Sequence, residues 1–321
     1  MFIFDAHADT LSVLAQANGE YHLGTLAGSH VSLPKMQKAG ISAQIFAVYV
    51  PKNYSPGLAL HMALKMADIF WQNMERYSEQ LLPVLSRSDL HMLEQALPRI
   101  GCLLSLEGGE PLEGSLANLR NLFRLGVRAM TLTWNHRNQL GDGVGEGERA
   151  SGLSKFGCEV VAEMNNLGML VDVSHLSERG FWDVLAISQE PVIASHSNAY
   201  SLCQHPRNLS DDQIRALADR GGVIGVNFYP RHVTNTPENC TIDQVVDQII
   251  YLYQTGGSDV VAMGSDFDGI NSTPSGLEDV EKIPSLIPAL EKRGLSTTAI
   301  EKIMGRNLLR VVKQILPEKS S

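Results

Sequence analysis

The stretch Met169-Leu170-Val171-Asp172-Val173-Ser174-His175 decides the fold. Its first five residues form an almost continuous apolar run rather than an alternating one, so the strand they predict is buried on both faces, as in a parallel sheet. A helix signature leads into it. Ser154 stands at an N-cap position, Val160, Val161, Met164 and Leu167 recur at helical spacing, and Gly168 closes the pattern. Ser174 and His175 follow at the carboxyl end. Helix, buried strand and polar strand end make up one unit of an α/β fold.

The same unit recurs outward from this point. Eight strands are predicted: Phe2–Ala6, Ile41–Val50, Cys102–Leu106, Ala129–Thr133, Met169–Val173, Val192–Ser195, Val223–Asn227 and Val260–Gly264. Between them lie amphipathic stretches with helix punctuation. Leu116, Leu119 and Phe123 share one face that ends at Gly126. Ser210 with Gln213, and Thr241 with Gln244, have the spacing of capping boxes. Ser296 to Leu316 reads as one or two closing helices. Eight strands alternating with helices, with no second set of strands and no Pro/Gly/Ser linker, predict a single (β/α)8 TIM barrel over residues 1–321.

Composition agrees with a large interior. Of the 321 residues, 44% are hydrophobic and 19% charged, below the usual charged share of about 25%. With 26 Lys+Arg against 35 Asp+Glu the net charge is −9, which disfavours nucleic acid and anionic membranes as partners. No segment has the roughly 20 consecutive apolar residues of a membrane span. The start lacks the basic segment of a signal peptide, and Cys102, Cys158, Cys203 and Cys240 show no CxxC spacing. A cytoplasmic protein with reduced thiols is expected.

Metal-binding residue types collect at the carboxyl ends of the strands, which in a TIM barrel form the active-site mouth. The first strand ends in Asp5-Ala6-His7-Ala8-Asp9, the third in Glu107-Gly108-Gly109, the fifth in Asp172-Val173-Ser174-His175, the sixth in Ser195-His196-Ser197 and the eighth in Ser265-Asp266-Phe267-Asp268-Gly269. Residues i and i+2 of a strand point the same way, so His7 and Asp9 can reach one cation. Imidazole with carboxylate suits Zn²⁺ and similar ions. His175 and His196 suit a second ion, and Glu107, with two oxygens, is placed to bridge. Two ions about 3.5–4 Å apart can activate a shared water and polarise a carbonyl. Asp266 completes neither ligand set and is the natural general base and acid.

These residues resemble the renal (membrane) dipeptidase family of zinc metallopeptidases, within the amidohydrolase superfamily. The resemblance runs through almost the whole chain. It rests on His7-Ala8-Asp9, Leu106-Glu107-Gly108-Gly109, Thr131-Leu132-Thr133, Asp172-Val173-Ser174-His175, Ser195-His196-Ser197-Asn198-Ala199-Tyr200, Pro206-Arg207-Asn208, Val226-Asn227-Phe228-Tyr229 and Gly264-Ser265-Asp266-Phe267-Asp268-Gly269. It implies two zinc ions per chain, one on His7 and Asp9, one on His175 and His196, bridged by Glu107. It implies Asp266 as the proton carrier and a bridging hydroxide as the nucleophile. Small dipeptides are the implied substrates, L,D pairs within the family's range, and Arg207 matches the position that grips the free carboxylate. A homodimer is implied by the family alone.

Two departures stand out. Where mammalian members place a carbonyl-holding His after Thr131-Leu132-Thr133, this chain has Trp134, with His136 two residues on. His136 is the expected replacement, the alternative being that Trp134 reshapes the pocket. After the seventh strand, Arg231 and His232 stand where mammalian members have neutral side chains, and both are expected to touch substrate. Another amidohydrolase activity, such as a lactamase or deaminase, would call for HxH on the first strand or a bridging Lys in the fourth, and neither is present. A non-catalytic ligand-binding barrel would be expected to have lost a ligand or Asp266. The Gly141–Glu148 run lacks the ligand order of a calcium loop and is expected to be a mobile acidic lid.

Overall fold

The computed structural model describes residues 1–17, 19–26, 28–50, 57–95 and 99–318. Nine strands run through them: β1 (Ile3–Ala8), β2 (Ile41–Tyr49), β3 (Leu81–Pro83), β4 (Ile100–Glu107), β5 (Val127–Thr131), β6 (Leu170–Asp172), β7 (Ile193–Ala194), β8 (Val223–Val226) and β9 (Val261–Met263). They hydrogen-bond in the order β2-β1-β9-β8-β7-β6-β5-β4-β3, and β2 also pairs with β4. That last pairing closes eight of them into a parallel barrel, the fold expected from the sequence. β3 is additional. It lies along the start of β4, with Leu81, Leu82 and Pro83 opposite Ile100, Gly101 and Cys102. Three residues ending in a proline carry no periodicity to read, and Pro, lacking an N–H, belongs on such an edge.

Burial explains the unbroken apolar runs. All six residues of β1 and all eight of β4 are buried. The helices begin and end where their punctuation stands. Ser154 Oγ accepts from Gly157 N–H, and Gly168 takes the left-handed conformation that glycine tolerates, with φ 74°. Both capping boxes form, at Ser210 with Gln213 and at Thr241 with Gln244. The closing segment is two helices, Thr297–Glu301 and Asn307–Ile315, joined by a π-helical turn.

The chain divides into two compact units, residues 1–45 with 194–311 and residues 46–193 with 312–321. In the first, Phe4, Phe228 and Phe267 are fully buried, the last two edge to face at 5.6 Å between centroids. Here backbones come very close. A Cβ on Gly225 or Gly264 would lie 2.0 or 1.9 Å from the Ser195 carbonyl oxygen. In the second, Leu103 of β4 and Met130 of β5 are fully buried, as are the helix residues Phe70, Val161 and Phe181. Among the described residues no helix is long and apolar enough to cross a membrane. The four cysteines are free, and burial pushes the Cys102, Cys203 and Cys240 thiols up.

Candidate active site

In the first unit, β1 carries His7 and Asp9 into one buried spot, His7 Nε2 lying 3.3 Å from Asp9 Oδ2. Asp9 Oδ1 is buried without a hydrogen-bond partner among the described residues. An ionised oxygen so placed is costly unless a cation meets it. His196, just past β7, stacks at 3.9 Å between centroids from His7, and its Nδ1 is 2.7 Å from Ser195 Oγ. That contact occupies Nδ1 and orients the ring.

Asp266 follows β9 in the left-handed region at φ 62°. Its N–H donates to the His7 carbonyl (3.2 Å), and its Oδ2 accepts from Asn227 Nδ2 (2.9 Å). Burial raises its pKa to about 6, with His7 opposing and Asp9 adding to the rise. His7, Asp9 and Asp266 each offer a ligand atom within 4.8 Å of the others. Only a glycine fits beside them. A Cβ on Gly269 would lie 2.2 Å from Asp9 Oδ2 and 2.8 Å from Asp266 Oδ1.

Arg207 is 6% exposed, and its Nη2 donates to the His196 carbonyl at 3.1 Å. It is therefore tied to a candidate ligand rather than left on the surface. Arg231 is exposed and His232 half-buried, in the short helix Pro230–Val233 after β8.

The second unit holds the other group. Glu107 ends β4 with 4% exposure, and its Oε1 is 3.0 Å from His175 Nε2. His175 sits at φ 67°, with Nδ1 2.7 Å from Asn135 Oδ1. An amide oxygen only accepts, so Nδ1 carries a proton, and in the neutral ring Nε2 presents a lone pair toward Glu107. A carboxylate oxygen and an imidazole nitrogen this close are the donor types that suit a shared divalent cation. Asp172, by contrast, spends its carboxylate on Thr131 Oγ1 (2.7 Å) and Ser174 N–H (3.0 Å).

Trp134 packs between His175, at 5.9 Å, and His136, at 5.6 Å between centroids. The segment after β5 thus places an indole against the ligand-type His175, with His136 beyond it. The Gly141–Glu148 run differs from a free lid. Asp142 is bound by Arg137 and by the Ser151 N–H, and Gly143 bridges to Leu176. The reason is close backbone approach: a Cβ on Gly143 would lie 2.1 Å from the Trp134 carbonyl oxygen.

Asn135 and Asn227 had no role assigned from sequence. Each orients a chemistry-bearing side chain from a strand's carboxyl end, and that position was the one signal that could have found them. A family model described as membrane dipeptidase, peptidase family M19, matches residues 1–320. The chain belongs to this family. It is a metal-dependent dipeptidase, a hydrolase of peptide bonds. An uncharacterised dipeptidase of Schizosaccharomyces pombe is 37% identical over 300 residues, 89% of this chain and 72% of that protein. The dipeptidase tcpJ of Claviceps purpurea is 37% identical over 299 residues, 90% and 70% of the two chains. Among solved structures, a Rhodobacter sphaeroides metallopeptidase liganded with a phosphinate mimic of L-Ala-D-Ala matches with a TM-score of 0.92 and 27% identity, over 98% of this chain and 99% of that one. Family membership implies a metal, and the orphaned Asp9 oxygen fits one.

Proposed function

We propose that the chain, working as one barrel domain over residues 1–321, hydrolyses dipeptides with two zinc ions. His7 and Asp9 hold one ion, His175 and His196 the other, and Glu107 joins them. The observation that carries this is the buried Asp9 Oδ1, which has no hydrogen-bond partner among the described residues, on a carboxylate 3.3 Å from His7 Nε2; the 3.0 Å approach of Glu107 to His175 supports it. When bound, the ions supply Lewis-acid polarisation of the scissile carbonyl and make water a nucleophile near neutral pH.

The chain's own residues do the rest. Asp266 takes the proton of the attacking water on the carboxylate oxygen that Asn227 does not hold, and passes it to the leaving amine. A carboxyl pKa near 6 suits both duties, since the group must accept and then release a proton. Arg207 binds the substrate's free carboxylate through a guanidinium already anchored on the His196 carbonyl. His136, which lies beside Trp134 at 5.6 Å, is the group proposed to steady the developing oxyanion. The L-Ala-D-Ala mimic bound by the Rhodobacter sphaeroides neighbour supports L,D-dipeptides as part of the substrate range.

The test is a screen of L,L- and L,D-dipeptides on protein stripped of metal and reloaded with zinc. Hydrolysis that appears with zinc and saturates at two equivalents is expected. A zinc-saturated protein that cleaves no dipeptide overturns the proposal, and saturation at one equivalent overturns the two-ion part.

A further inference from the structure

Next to Arg207 two imidazoles lie together. The His205 and His232 ring centroids are 4.4 Å apart, inclined at 43°, and Tyr229 meets His232 edge-on at 5.0 Å. The two backbone segments are latched. Asn208 Nδ2 donates to the His232 carbonyl (2.8 Å) and the Cys203 carbonyl (2.9 Å), and Cys203 Sγ donates to the Arg231 carbonyl (3.4 Å). Arg231 is thereby carried to the same place as the rings. His205 Nδ1 accepts the Arg207 N–H at 3.2 Å, so the proton of the neutral ring is on Nε2, which can only donate.

The charges acting on these rings are cationic. Burial first, then Arg207 and Arg231, hold the His205 pKa down. Burial first, then Arg207 and His205, hold that of His232 well down. The Arg231 guanidinium and an imidazole N–H thus add donors and positive charge beside Arg207, the group proposed to grip the substrate's main-chain carboxylate.

We propose that Arg231, with His205 and His232, forms a second anion subsite that reads an acidic side chain on the substrate's C-terminal residue. It follows, given the dipeptide hydrolysis proposed above, that dipeptides ending in Asp or Glu are favoured. With the main-chain carboxylate on Arg207, the side chain departs from the adjoining carbon. One or two methylenes then carry a second carboxylate to the neighbouring donors. A neutral amide of the same shape can satisfy the N–H donor but not the guanidinium charge, and an aliphatic side chain satisfies neither.

The test compares kcat/KM of the zinc-loaded full chain on Ala-Asp, Ala-Asn and Ala-Leu, each with an L and a D C-terminal residue. Ala-Asp is expected to exceed Ala-Asn by about tenfold in the preferred configuration, a charged hydrogen bond being roughly twice as strong as a neutral one. Because Arg231 is exposed, Arg231→Met folds, and it is expected to bring the ratio within about twofold. Arg231→Lys keeps the charge and is expected to retain part of the preference. Raising the salt from 0.05 to 0.5 M is expected to shrink the wild-type ratio, since the guanidinium is reached by solvent. Equal rates on Ala-Asp and Ala-Asn, or a preference that survives in Arg231→Met, overturn the subsite while leaving the dipeptidase intact. Failure to cleave all six substrates together with the wider dipeptide screen overturns the dipeptidase proposal itself.

Discussion

Gly269 has no side chain, and at its position none fits. A methyl group there would lie 2.2 Å from Asp9 Oδ2, inside any van der Waals contact, and would displace the carboxylate from its place beside His7. Gly269→Ala is therefore expected to lose metal from the His7–Asp9 group and at least about 100-fold in kcat/KM, since an ångström-scale misplacement costs that much. Because the residue is exposed, the metal-free variant and metal-free wild type should melt alike, so that any loss of thermal stability tracks the lost ion. Elemental analysis showing full metal with normal turnover would refute this. Asp266→Asn makes the opposite separation. It should keep both ions and lose about 10²–10⁴-fold in kcat, the usual worth of general acid–base catalysis. Loss of one ion instead would make Asp266 a ligand, the alternative left open by its closeness to His7 and Asp9. Asn135 acts through His175. Its removal should weaken one ion about 10–100-fold and leave the other, as loss of a ligand-orienting partner does; a two-step zinc titration of Asn135→Ala reads this directly.

At the scale of elements, the strands are placed by the smallest residues in them. Gly225 in β8 and Gly264 after β9 both face the Ser195 carbonyl at distances no Cβ can occupy. The neighbour is backbone rather than a flexible side chain, so it cannot step aside. Gly264→Ala is expected to destabilise by about 3 kcal/mol or more, the upper end for overpacking, and to reduce soluble yield. A denaturation midpoint within error of wild type would show that the strands shift freely. The helices are a simpler matter, because their caps are local. Ser154, Ser210 and Thr241 form the bonds their spacing promised. β3 was invisible because three residues have no period, and it is a strand through its pairing with Ile100, Gly101 and Cys102 at the start of β4.

For the molecule as a whole, metal is expected to be part of stability as well as of chemistry. Each ion that binds only the folded chain adds about 2.7 kcal/mol at a hundredfold excess over its Kd. With an unfolding entropy of about 2.1 cal/mol/K per residue, that is a rise of about 4 °C in Tm per ion for a chain of this size. Chelation should lower the melting temperature accordingly, and zinc should restore it. A Tm indifferent to chelator would mean that no tight site exists in the folded chain.

By itself the sequence determined what depends on neighbours along the chain. The buried apolar runs set eight strands, the caps set helix ends, and the HxD spacing set two ligands on one strand, because strand and helix periods are properties of the backbone. The motifs were also enough to establish the family. Only the tertiary structure decided what depends on residues far apart in sequence. It showed that Asn227 holds Asp266, that Asn135 orients His175, that Asp142 pins the Gly141–Glu148 run, and that His205 joins His232 beside Arg207. Hydrogen bonds and close approaches of this kind have no sequence period. They arise when folding brings together groups that must be satisfied once water is excluded.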